Sequence, residues 1–384
     1  MRKWIYGVLA CVFGAAFFAA IAVALINWRD EKIRPEIESI LANRLHTTED
    51  QERAWFYVLG VHAGDDEDPE QKGRDLWAKR EAPGFWDALN KSRPFATSFS
   101  GCKSVCGTEA LEKDPRLQEA LRKYPREVRR YVRLMQYGAG VTLFRGDEKN
   151  PLLSLTALPY NAHPLFLAQL AEWLKKGGEA RVLDLLVASN TYMESIMSNG
   201  SLLERLVAAR NAQMNAQFLM LEMWQNPELR VTEEIVATFP VPESEKLLRG
   251  ALEEELRTVH NAVRSIQSLS DFELSHLSET NEWGPKISSY IPARALFKPN
   301  QAMNRYYDIA MQGLYSDCPL GEEIEVCVPA AKWASLNPVW HWIENPLGRG
   351  LVRILTVNLS GRRHTVNRLA EEIISLKQEM RRAL

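Results

Sequence analysis

Residues 201–225 read SLLERLVAARNAQMNAQFLMLEMWQ, a run far longer than an ordinary strand, closed by Asn226-Pro227. Leu202, Leu203, Leu206 and Val207 lead through Arg210 to Met214, Phe218, Leu221 and Met223, so a broad apolar face recurs at steps of three and four. That spacing predicts an amphipathic helix. Immediately upstream lie two more stretches of the same kind, from about His163 to Lys176, ended by Gly177-Gly178, and from Glu179 to about Ser198, ended by Asn199-Gly200. Three helices joined by such short connections are expected to pack as antiparallel neighbours.

The same grammar extends outward in both directions. Asp114-Pro115 is a helix start, the Asp as cap and the Pro at the first helical position, and Pro125 restarts a helix that should run to about Tyr137. Pro242 to about Leu269 predicts a long helix rich in Glu, Leu and Arg. Ala54, Trp55, Val58 and Leu59 form the buried stripe of a short helix, and the acidic loop Asp65 to Asp68 before Pro69 fails the register of a calcium loop. Alternating runs such as Val141 to Phe144 or Glu325 to Val328 are too short to build a sheet. The fold class is all-α. No 34-residue pattern repeats, which favours an irregular helical bundle or solenoid-like array over a tetratricopeptide array.

The amino terminus differs from the rest. From Ile5 to Asn27 there are 23 consecutive residues without a charge, preceded by Arg2 and Lys3 and followed by Trp28 and Arg29. About 20 such residues cross a hydrocarbon core of roughly 30 Å. Residues 1–28 are therefore expected to form a transmembrane signal anchor with the basic head inside, placing the bulk of the chain outside the cytoplasm. Ala20-Ile21-Ala22 and Ala22-Val23-Ala24 leave a cleaved signal peptide as the alternative. Residues 29–48 then read as a juxtamembrane stalk, 49–344 as an exported helical domain, and 345–384 as a long C-terminal helical segment.

Cys102, Cys106, Cys318 and Cys327 make an even set that suits disulfides in an oxidising compartment, with three connectivities open. A Cys318–Cys327 bridge would close a loop of about ten residues and contribute roughly 2.7 kcal/mol in the chain-entropy picture. Their spacing fits structural zinc poorly. A net charge of -2 gives no cationic field, so nucleic acid is not an expected partner. Catalytic signatures are absent: there is no nucleophile elbow, phosphate loop or HExxH, and the histidines are scattered. No cofactor is implied.

Three local features carry interaction hypotheses. Arg126, Arg129, Arg130 and Arg133 fall on one helical face, which either engages an anionic lipid, glycan or protein, or is merely solvated and paired with acidic residues of 36–82. Val366, Leu369, Ile373, Leu376 and Met380 form an a/d seam that either docks on its own chain or zips two copies into a homodimer. Trp333, Trp340 and Trp342, with Tyr306 and Tyr307, are core aromatics or a stacking pocket.

Phe297-Lys298-Pro299-Asn300, with Asn304 beyond, and Asn345-Pro346-Leu347-Gly348-Arg349 read as two helix entries, Pro299 and Pro346 at first helical positions and Asn345 as a cap. Together with the anchor and the cysteines, they resemble a family of uncharacterised single-pass helical proteins of Gram-negative bacteria. The resemblance covers most of the exported region and implies an inner-membrane protein facing the periplasm, with no activity or catalytic residue attached. The expectation is a membrane-tethered binding or scaffold protein with a protein partner in the envelope. An envelope hydrolase using paired carboxylates and an anionic lipid- or glycan-binding module are the alternatives.

Overall fold

The computed structural model describes residues 18, 21–22, 25–26, 29–42, 48–79, 111, 113–137, 157–268, 297–316, 324–334, 344–356 and 362–384. In chain order the helices are α1 (Pro35–Ala42), α2 (Glu49–Leu59), α3 (Pro69–Ala78), α4 (Pro115–Lys123), α5 (Pro125–Met135), α6 (Ala157–Lys175), α7 (Glu179–Asn199), α8 (Leu202–Gln225), α9 (Glu233–Ala237), α10 (Ser244–Ser268), α11 (Pro299–Tyr315), α12 (Ile324–Cys327), α13 (Pro346–Thr356) and α14 (Arg362–Ala383). A 3-10 turn covers Pro329–Trp333, and no strand occurs among the described residues. The protein is all-helical.

Capping chemistry explains most helix starts. Asp114 accepts the N–H of Arg116 ahead of Pro115, and Asp68 accepts from Glu70 and Gln71 ahead of Pro69. Thr48 with Gln51, and Ser201 with Glu204, close reciprocal capping boxes at α2 and α8. Each such cap is worth about 1 kcal/mol. Helix α6 departs from expectation: it begins at Ala157, ahead of His163, and carries Pro164 inside. A proline there removes one backbone hydrogen bond but need not end a helix whose residues Leu165 to Leu167 are wholly buried.

The chain divides into two compact units that interleave in sequence: residues 1–44, 146–152 and 255–364 form one, and 45–145, 153–254 and 365–384 the other. In the second unit α7 packs along α8, both against α6, while α4 and α5 flank α6. Helices α2 and α3 form a tight hairpin in which a side chain on Gly60 would run into the carbonyl of Pro69, and one on Gly73 into that of Phe56. Buried Phe166, Tyr192 and Phe218 fill the centre. A polar thread crosses it too: Tyr131 Oη lies 3.2 Å from His163 Nδ1, and Asn215 donates to Ser189 and Asn190, each at 2.9 Å.

Within residues 345–384 the described residues include two helices, α13 and α14. The seam of α14 packs on its own chain. Val366, Leu369, Ile373 and Met380 are buried and Leu376 partly so. Lys377 donates to the carbonyls of Ala237 (3.1 Å) and Phe239 (2.7 Å), capping the end of α9, and Arg381 pairs with Glu233 at 2.7 Å. Of the two readings of the seam, docking on its own chain is the one this burial favours.

In the first unit α11 packs against α13 and the 3-10 turn, with Tyr306, Ile309 and Leu314 fully buried. Arg257 donates to the Ile40 carbonyl at 3.1 Å and so ties α1 to α10. Among the described residues no helix is long and apolar enough to cross a membrane. The run 5–27 lies mostly outside those residues; of it, Phe18, Ile21, Ala22, Leu25 and Ile26 are helical and exposed.

Candidate functional site

The motif residues singled out by sequence come together in the first unit, around the start of α11. Pro299 occupies the first helical position, so the helix begins with no N–H to satisfy there. The next two N–H groups, of Asn300 and Gln301, are taken by the carboxylate of Asp30 at 2.7 and 3.0 Å. A cap normally supplied by the preceding residue is here supplied from some 270 positions away. Its negative charge also lies at the positive end of the helix dipole.

One face of α11 continues the grip on the segment 30–34. Asn304 donates to the Lys32 carbonyl (2.9 Å) and accepts the N–H of Arg34 (3.1 Å), reading that backbone as a neighbouring strand would. Asn300 donates to the Glu31 carbonyl at 3.0 Å. Arg34 forks onto both oxygens of Asp308 at 2.6 and 2.8 Å, and Arg305 approaches Glu31 at 3.4 Å. Positions 300, 301, 304, 305 and 308 share a face because a helix repeats every 3.6 residues. Half-exposed ion pairs add at most about 1 kcal/mol each. The bonds between the buried Asn304 amide and the backbone of Lys32 and Arg34 therefore set the geometry, since they lie away from solvent and are worth roughly 0.5–1.5 kcal/mol each.

Behind this face sits Asn345, fully buried and held at φ 49°, in the left-handed region. It accepts the N–H of Lys298 (2.7 Å) and that of Gly348 (3.2 Å), and donates to the Lys298 carbonyl and to Gln301 Oε1, both at 3.0 Å. It thus caps α13 as its sequence position suggested and fastens α13 to α11. Gly348 must lack a side chain, because a Cβ would collide with the Asn345 amide. Arg349 is buried with its guanidinium 4.4 Å over the Trp333 ring, donating to the carbonyls of Trp333 and Glu344. Burial pulls Arg349 below its ordinary value, while the Gln301 amide, with Lys298 and Arg349, holds the Glu344 carboxyl below the usual range. Glu344 is therefore kept ionised, as a clamp and not a proton donor.

The other predicted residues do not join this site. Cys327 is disulfide-bonded, and Cys102, Cys106 and Cys318 lie outside the described residues, as do Trp340 and Trp342. The arginines of α5 do not present a common open face. Arg130 is buried, its guanidinium donating to the carbonyls of Val61 (2.7 Å), Ala63 (2.5 Å) and Gly64 (2.7 Å), where it closes the loop after α2. Arg126 turns to Glu127 at 3.0 Å, and only Arg129 and Arg133 are exposed. A helical wheel gives the face a residue occupies but not what lies across from it.

Sequence reasoning found Lys298, Pro299, Asn300, Asn304, Asn345 and Arg349 but missed their partners Asp30, Glu31, Arg34, Asp308 and Glu344. The available signal was the polar face 300, 301, 304, 305, 308 opposite buried Met303, Tyr306 and Ala310. Among the described residues no group of three or more His, Cys, Asp or Glu side chains is placed to hold a metal ion. What the arrangement does chemically is hold two stretches of backbone against each other. Compared with protein families, with curated proteins and with solved structures, the chain matches none of them.

Proposed function

We propose that the protein is a membrane-tethered helical scaffold of the cell envelope, in which an N-terminal anchor carries an exported body that acts by binding. The carrying observation is the grip of α11 on residues 30–34. These are the first residues after the apolar run, and they are hydrogen-bonded to the body through Asp30, Asn304 and Arg34 instead of trailing as a loose linker. Such a joint transmits the orientation of an anchor to the body. An enzyme that only needs confinement near a membrane has no use for it. The uncharged run of 23 residues, its exposed apolar residues Phe18 and Leu25, and the disulfide at Cys327 support an anchored, exported chain.

The resemblance of the two Pro-containing motifs to single-pass proteins of Gram-negative bacteria agrees with this reading, which places the body in the periplasm and its partner among envelope proteins. A reporter fused after Leu384 and active only in an oxidising exported compartment tests the topology. It is expected to be active. A fusion active only when the carboxyl end stays in the cytoplasm overturns anchor, compartment and role together.

A further inference from the structure

The second unit contains a pocket of about 320 Å³ between the end of α7, the start of α8, the Pro240–Glu243 connection and the first turns of α10. Its floor is the guanidinium of Arg205. That side chain is buried, with Nε donating to the Gly200 carbonyl (2.5 Å) and Nη1 to the carbonyls of Met197 (2.9 Å) and Leu247 (3.3 Å). A guanidinium has five N–H donors. Among the described residues, Nη2 and its two N–H groups have no hydrogen-bond partner, and the group is not sealed from solvent. Burial draws Arg205 down to about 10, still charged at neutral pH.

Gly250 shapes the opening. A Cβ there would come within 2.6 Å of Nη1 and 2.7 Å of Nη2, so only a glycine lets the backbone of α10 approach the guanidinium this closely at the edge of the pocket. The rim carries both signs of charge. Lys246 and Arg249 stand beside Glu194, Glu243 and Glu253, and Arg249 is already within 3.9 Å of Glu253. A dianion would gain from the cations but be repelled by three carboxylates. A molecule with a carboxylate and an ammonium close together satisfies both. Met197, Leu247 and Val241 add an apolar wall for a short side chain.

We propose that this pocket binds a small zwitterion of the amino-acid type, its carboxylate on the free edge of Arg205 and its ammonium toward the rim carboxylates. The site is independent of the α11 junction. Arg205 itself is left intact in the test, because its carbonyl bonds hold α7, α8 and α10 together. Titration calorimetry of the full chain in detergent with glycine, L-alanine, L-glutamate and L-lysine, each alone, is expected to give at least one Kd below about 1 mM. Acetate and inorganic phosphate should bind at least about tenfold more weakly than that amino acid, since each lacks the ammonium. The exposed rim variants Glu194→Gln and Lys246→Gln, folded by their melting curves, should weaken the amino acid about fivefold or more. Absence of binding by all four amino acids overturns the proposal. So do phosphate binding as tightly as any of them, and affinity unchanged in both variants.

Discussion

Lys298 and Asn345 are paired as if across a sheet: the Lys298 N–H donates to Asn345 Oδ1 at 2.7 Å and Asn345 Nδ2 donates back to the Lys298 carbonyl at 3.0 Å. A side-chain amide thus satisfies both backbone groups of a residue 47 positions away, at a site closed to water. Asn345→Ala strands a buried donor and a buried acceptor and places a β-carbon at positive φ without the amide that held it. The expected loss is roughly 2–4 kcal/mol, since each stranded group costs about 1–3 kcal/mol. Chemical denaturation followed by far-UV circular dichroism measures it, and a loss below about 0.5 kcal/mol would mean the pairing is incidental.

His163 gives the second unit a pH signature. Burial lowers it from 6.5 to about 3, opposed by Asn215 and the backbone of Asn211, so the folded state holds it neutral. The unfolded chain binds the proton first. Its contribution is complete above pH 6.5 and is lost as pH falls toward 3, at up to about 1.4 kcal/mol per pH unit. Stability of the wild type minus that of His163→Gln should fall with acidification in that window. A pH-independent difference contradicts a neutral buried imidazole.

The α2–α3 hairpin rests on backbone contact at Gly73. Gly73→Ala drives a methyl group into the Phe56 carbonyl, where both partners are main chain and cannot rotate away. Overpacking of this kind costs about 1–3 kcal/mol or more. A melting temperature unchanged from wild type would show that the helices part without cost.

Arg130 and its neighbours separate structural from surface charge. Arg130→Lys keeps the charge but loses the fork that reaches Val61, Ala63 and Gly64, and should cost about 2 kcal/mol. Arg129→Gln and Arg133→Gln, both on exposed side chains, should stay within about 0.5 kcal/mol. Equal effects at all three positions contradict the placement.

Adjacent residues of α14 test its docking in the same way. Ile373 is fully buried and Ile374 is 43% exposed. Ile373→Glu should destabilise the second unit by several kcal/mol through a buried unpaired charge, on the order of 3–5 kcal/mol. Ile374→Glu should be near neutral. Comparable melting of the two variants would reopen the seam as an exposed surface.

Local signals account for what the sequence made legible. Asp114-Pro115 and the box of Ser201 with Glu204 involve residues three positions apart or fewer, so cap and helix are read in one glance, and α7 and α8 appear within a residue of their expected limits. Helix α6 begins at Ala157, ahead of the expected His163, and continues through Pro164. The a/d stripe of α14 has the same spacing whether its complement is a second copy or, as the burial of Val366, Leu369, Ile373 and Met380 shows, its own chain. Asp30 is the limiting case. Nothing near it marks it as a cap, because the helix it caps begins about 270 residues later.

The joint between residues 30–34 and α11 is best tested by hydrogen exchange at Asn300 and Gln301, in the full chain held in a detergent micelle or nanodisc. First-turn amides of a helix have no intrahelical acceptor and exchange rapidly unless something else binds them. The account predicts that both are protected in the wild type and become fast in Asp30→Ala while the rest of α11 stays slow. Fast exchange at both positions in the wild type, or protection that survives Asp30→Ala, would mean that residues 30–34 are not fastened to α11.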